Sequence, residues 1–175
     1  MVLYFIMLTL SITNHMTLYD FSTNSDLSNW TVVNDVVMGG RSEADFFVNS
    51  DGHAVFHGEV SLENNGGFSS VRYRFAQKKA EDYDTMVIRL KGDGKRYQFR
   101  VKTASSDRHS YIYHFQTTGD WQIIEIPFTE MYPGFRGNKL DMPNYPGKEM
   151  EEIAFLIANN KAEAFNLELD KIFMK

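Results

Sequence analysis

Apolar and polar residues alternate along most of this chain. From Phe68 to Phe75, one phase of a period of two carries Phe68, Ser70, Arg72 and Arg74, and the other carries Ser69, Val71, Tyr73 and Phe75. Such a period marks a strand with one face in a core. Tyr97, Phe99 and Val101 alternate with Gln98, Arg100 and Lys102 in the same way. Trp121, Ile123, Glu125 and Pro127 oppose Gln122, Ile124, Ile126 and Phe128. Further strands are predicted at 18–21, 30–33, 44–48, 53–60, 85–90, 110–115, 153–158 and 165–173. Turn signals separate them: Asn49-Ser50-Asp51-Gly52, Gly92-Asp93-Gly94 and Thr118-Gly119-Asp120. The last predicts that 110–115 and 121–127 pair as a hairpin. The polar stretch 22–29 has room for one helical turn, with Ser25 or Asp26 as its cap. Between Thr129 and Lys148 the alternation stops and three prolines enter, which predicts a long ordered loop wrapping the sheet.

About ten short strands with turns between them and no βαβ alternation predict an all-β, antiparallel β-sandwich. Its expected core includes Trp30, Phe56, Val71, Tyr73, Val87, Phe99, Ile123, Phe155 and Leu167. The heavy aromatic content (14 Phe, 9 Tyr, 2 Trp) suits a pleated, half-buried surface. A length of 175 residues fits one domain and is short for two. That domain is expected to run from 16 to 175, after an N-terminal apolar extension at 1–15.

The extension changes the picture of location. Met1 to Ile12 is almost wholly apolar, yet it falls short of the about 20 residues a membrane-spanning helix needs. It has no basic n-region and no arginine-rich amphipathic pattern. A misassigned start, or a degenerate signal, is the expectation, with Met1 to Asn14 dispensable for stability. A cytoplasmic, prokaryotic-like setting is expected over a mitochondrial one. The formal charge of −5 gives no general grip on a phosphate backbone, so no nucleic-acid partner is expected. The absence of cysteine excludes disulfides and thiolate chemistry.

Catalytic patterns are missing: there is no G-x-S-x-G elbow, H-E-x-x-H pair, phosphate loop or Rossmann glycine pattern. No enzyme activity, cofactor or metal is expected. His53 and His57, four apart on a strand, stand about 13 Å apart along the chain, too far to share one ion without a bend. Glu63, Asn64 and Asn65 have the oxygen chemistry of calcium ligands, but Asn-Asn-Gly-Gly is first a turn.

Two glycine pairs stand out. Gly39-Gly40 leads into Arg41-Ser42, and Gly66-Gly67 leads into Phe68-Ser69-Ser70-Val71-Arg72. They are expected to meet in space, with Asp35, Arg41, Ser42 and Arg72 hydrogen-bonded around them and a positive φ in each pair. The candidate binding set is Asp35, Gly39, Gly40, Arg41, Ser42, Gly66, Gly67, Phe68, Ser70, Arg72, Arg100 and Arg136. Two readings of its arginines stand: they tie loops by pairing with Asp35, Glu59 or Asp141, or they form a ligand or partner face. Trp30 and Trp121 are either core residues or sugar-stacking platforms.

The order D-V-V-M-G-G-R-S, then G-E-V-S-L-E-N-N-G-G-F-S-S-V-R, resembles the signature of the CIA30 family, the complex I intermediate-associated protein 30 domain. L-K-G-D-G-K-R-Y-Q-F-R at 90–100 and M-Y-P-G-F-R-G at 131–137 agree with it. The resemblance covers roughly Thr17 to Lys175. It implies a galactose-binding-like jelly-roll and a non-enzymatic, chaperone-like role in respiratory complex assembly. The implied partner is a protein, either an assembly intermediate or a membrane-complex subunit. A carbohydrate-binding jelly-roll module is the alternative.

Overall fold

Strand pairing puts the alternating residues to work. The computed structural model describes residues 14–175, so the expected extension at 1–15 lies outside the described residues except for Asn14 and His15. Two antiparallel sheets carry the chain. One has the order β11 (Asn138–Lys139), β10 (Tyr132–Phe135), β8 (Ser110–Gln116), β7 (Arg96–Lys102), β12 (Glu149–Ile157), β5 (Ser69–Lys79), β2 (Trp30–Asn34). The other has the order β3 (Glu43–Val48), β4 (Ala54–Val60), β13 (Glu163–Met174), β6 (Thr85–Lys91), β9 (Trp121–Pro127), and β1 (Met16–Asp20) also pairs with β13. The architecture is the antiparallel β-sandwich that the alternation predicts.

The core lies where the inward phases meet. Tyr97, Phe99 and Val101 of β7 are fully buried, as are Ile153 and Phe155 of β12, Phe56 of β4, and Leu167 and Leu169 of β13. Phe99 and Phe155 sit opposite each other in register and meet edge to face at 5.4 Å. Burial of each such side chain stabilises the fold by roughly 1.5–3 kcal/mol. At one end an aromatic group closes the sandwich, with Trp30 stacked on Tyr73 at 4.7 Å and packed against Phe46 and Tyr19.

Several expectations are corrected. β8 and β9 are not a hairpin: β8 pairs with β7 and β10, β9 pairs with β6, and the turn between them crosses from one sheet to the other. Alternation states which side chains face the core and is silent on which strand lies alongside. Ile123 is 62% exposed, because it shares the outward phase of β9 with Glu125, while Ile126 on the opposite phase is buried. The 129–148 stretch contains β10 and β11, which extend the edge of the seven-stranded sheet beyond β8. The 22–29 loop holds two hydrogen-bonded turns and no helix.

Candidate functional site

Asp35 begins a single 3-10 turn, Asp35–Met38, at the end of β2. Gly39 closes that turn with φ +91°, its N–H donating to the Val36 carbonyl at 2.9 Å. The chain then doubles back, so that Ser42 faces the Asp35 side chain. Ser42 N–H donates to Asp35 Oδ1 at 2.9 Å and Ser42 Oγ donates to Oδ2 at 2.5 Å. From the other side, Gly67 N–H donates to Oδ2 at 2.6 Å and Phe68 N–H at 3.3 Å. Both glycine pairs thus converge on one carboxylate, as expected. A Cβ on Gly40 or Gly66 would overlap that carboxylate, and Gly67 has φ +136°.

Asp35 and Ser42 are fully buried. Burial by itself would raise the Asp35 carboxyl. The hydrogen bonds from Ser42, Gly67 and Phe68 outweigh it and hold the group below its ordinary value. The carboxylate is therefore a charged tie between two loops, buried and bound by four donors of its own chain. What the tie presents outward is apolar: Val36 is 58% exposed, Met38 60% and Leu62 46%. Arg41 stands at the rim, paired with Glu63 at 2.7 Å in a solvent-exposed contact that contributes little to stability. The Glu63–Asn65 turn has Asn64 and Asn65 at positive φ, which is the turn geometry those residue types allow.

Arg72 does not join this group, contrary to expectation. It lies with Ser70 on the outward phase of β5, where Ser70 Oγ donates to the Val33 carbonyl at 2.9 Å. Across the seven-stranded sheet, Arg72 is in register with Ala154, Ala154 with Arg100, Arg100 with Ile112 and Ile112 with Tyr132. The pairing of these arginines with Asp35, Glu59 or Asp141 is also absent among the described residues. The ion pair on this face is Arg74 with the buried Glu152, 2.7 Å apart. Arg100 instead donates Nε and Nη2 to the neutral Gln98 Oε1, at 2.9 and 2.6 Å. Burial, then the neighbouring Arg72, pulls the Arg100 guanidinium down to about 10, still charged at neutral pH.

Arg136 is remote from both groups, in the β10–β11 turn at φ +49°, with its guanidinium over the Phe135 ring. The candidate set therefore splits three ways: the Asp35 tie, the outer face of the seven-stranded sheet, and an isolated turn. Sequence reasoning missed Gln98, His114 and Tyr132, which share that outer face. His114 Nε2 lies 2.9 Å from the Tyr132 hydroxyl, and burial followed by Arg96 and Arg100 lowers its basicity. The signal was present, since Gln98 and His114 both lie on outward phases. A cleft of about 460 Å³ beside Tyr83, Phe128 and Tyr145 contains none of the candidates. Among the described residues no group of three or more His, Asp or Glu is placed to hold a metal, and no helix is long and apolar enough to cross a membrane.

Trp30 is a core residue, whereas Trp121 is half-buried on the outer face of the six-stranded sheet. There the Arg89 guanidinium covers its ring at 4.5 Å and His53 lies at 4.5 Å.

Known proteins agree with this architecture. The family 11 carbohydrate-binding module from Clostridium thermocellum, solved with a β-1,3-1,4-mixed-linked tetrasaccharide, superposes with a TM-score of 0.63. The match covers 91% of this chain and 94% of the module at 17% identity, and so it speaks for the jelly-roll fold alone. The mitochondrial complex I intermediate-associated protein 30 of Drosophila melanogaster is 25% identical over 88% of this chain and 60% of its own length. Its Mus musculus counterpart is 24% identical over 88% of this chain and 54% of its own length. The chain thus spans just over half the length of these relatives. Both are named as mitochondrial proteins, which overturns the cytoplasmic expectation. That expectation rested on the first residues alone, whose apolar character lacks a basic amphipathic pattern. The family model for complex I intermediate-associated protein 30 matches residues 19–169, and the chain belongs to that family.

Proposed function

We propose that this chain is a non-enzymatic protein-binding factor acting on intermediates of respiratory complex I assembly, in the mitochondrial setting of its relatives. The supporting observation is the apolar rim of Val36, Met38 and Leu62, held outward on two loops that the buried Asp35 ties together. Exposed apolar groups on a rigid support suit a protein partner, because the surface is shaped before binding and little order is lost on contact. Family membership supplies the assembly context.

A carbohydrate-binding role is the second reading, favoured by the fold shared with the family 11 module. Sugar recognition by such sheets calls for open aromatic platforms. On the outer face of the seven-stranded sheet the tyrosine is Tyr132, whose ring is already stacked on His114 and approached by Lys139. That weighs against this reading.

The test is capture from detergent-solubilised mitochondrial membranes on immobilised protein, beside electrophoresis through a gel containing mixed-linkage β-glucan. The assembly reading expects complex I subunits among the captured proteins, their loss with Met38→Asp, and unretarded migration in the glucan gel. Retardation by glucan without capture of complex I subunits would replace it with the carbohydrate reading.

A further inference from the structure

We infer that the outer face of the seven-stranded sheet is a docking track for an acidic, extended segment of a protein partner, whose carboxylates are taken by Arg72 and Arg100. This rests on the protein-binding reading above and adds the chemistry of a partner segment.

The geometry begins with register. Arg72, Ala154 and Arg100 stand side by side on three adjacent strands. With neighbouring strands about 4.8 Å apart, the two arginine Cα atoms are roughly 10 Å apart. Ala154 between them is too short to separate their side chains. Two guanidinium groups therefore share one strip of the sheet, and among the described residues neither has a carboxylate within ion-pair reach. One position along, Arg74 does have such a partner in Glu152. The fold thus neutralises Arg74 and leaves Arg72 and Arg100 side by side, with Arg96 and Lys102 further along β7 on the same face. Buried charges are ordinarily paired, and Arg100 is largely withdrawn from water with the Gln98 amide oxygen as its hydrogen-bond acceptor and Tyr132 nearby, but no carboxylate. An incoming carboxylate would remove the repulsion and accept the donors that Gln98 leaves free.

The occupant follows from what surrounds the two charges. Ala154 stands between the two cations, Leu156 and Ile112 flank them on the same outer side, and all three are buried, so what this strip offers a partner is charge and not apolar surface. A neutral sugar would leave both guanidinium groups unpaired. A phosphate ligand is set apart from a carboxylate by the inorganic phosphate probe below. An extended peptide with an acidic residue at every second position turns all its carboxylates to one side, toward the arginines. Arginine forks bind carboxylate in two parallel hydrogen bonds. The track also adjoins the apolar rim, since β5 starts directly after Gly67 and Phe68.

Calorimetric titration of the intact protein tests this with four probes. They are a short capped peptide alternating glutamate with leucine, its glutamine counterpart, inorganic phosphate, and the mixed-linked tetrasaccharide. The glutamate peptide should bind at least about tenfold more tightly than the glutamine peptide, the scale of one lost charge-assisted hydrogen bond. Arg72→Gln and Arg100→Gln should each remove a similar factor while the thermal midpoint stays near that of the unmodified protein. Should Arg100→Gln fail to fold, Arg72→Gln decides alone. Equal binding of both peptides, binding indifferent to Arg72→Gln, or phosphate binding as tightly as the glutamate peptide would each overturn the inference. Membrane capture separates its failure from that of the assembly reading. If complex I subunits are captured while the glutamate peptide shows no preference, only the track fails. If the peptide binds as expected but no complex I subunit is captured, the track stands and the assembly reading fails.

Discussion

Asp35 Oδ2 accepts the backbone N–H of Gly67 at 2.6 Å, joining two loops that lie 32 residues apart in the chain. The same carboxylate takes Ser42 N–H, Ser42 Oγ and Phe68 N–H. Asp35→Ala leaves these donors without an acceptor in a buried site. It should cost more than about 3 kcal/mol, the scale for removing one partner of a buried charged network. Urea unfolding measures this, and an unchanged midpoint would show that the tie does not hold the loops.

The tie carries a pH dependence of definite sign. The Asp35 carboxyl is held below its ordinary value in the folded protein, and the unfolded chain titrates near the usual aspartate value of about 3.9. Its contribution is therefore fully present above that value and is lost as the pH falls through the lower folded value. Asp35→Asn should flatten this part of the acid limb in a stability-against-pH series. Parallel curves for the two proteins would contradict the assignment.

The adjacent glycines Gly39 and Gly40 should respond differently to alanine. Gly39 has φ +91° with open space around its Cβ position, so Gly39→Ala should cost only backbone strain of about 1–2 kcal/mol. Gly40 has no such strain, but its Cβ would overlap the Asp35 carboxylate. Gly40→Ala should be the more damaging of the two, and thermal unfolding of the pair should give that order. The reverse order would mean that the loop yields easily around Asp35.

Trp30 stacks on Tyr73 at 4.7 Å inside the aromatic group that closes one end of the sandwich. Trp30→Ala should destabilise the protein by about 3–5 kcal/mol, as for other buried large-to-small changes. Chemical denaturation reads the loss directly. A loss below about 1 kcal/mol would place Trp30 outside the core.

Most strands and the inward phase of each were legible in the sequence, because a strand half in water must alternate. The meeting of the two glycine pairs was legible too, since small residues beside Asp35 and Ser42 leave room for a buried carboxylate. Strand neighbours were not: β8 and β9 follow each other across a turn, yet they belong to different sheets. Arg72 was assigned to the Asp35 tie because it closes the same motif. It lies four residues beyond Phe68, however, which in an extended strand is about 13 Å. The same alternation that placed Arg72 outward also placed Arg100 outward, but only strand order brings them side by side across Ala154.

The assembly role is tested most directly by profiling native complexes from mitochondria that express the tagged full-length protein. The account expects co-migration with subcomplexes of complex I, and its loss when Met38→Asp charges the apolar rim while the thermal midpoint is unchanged. Migration solely at the mass of the protein itself, with no complex I subunit in the same fractions, would contradict it.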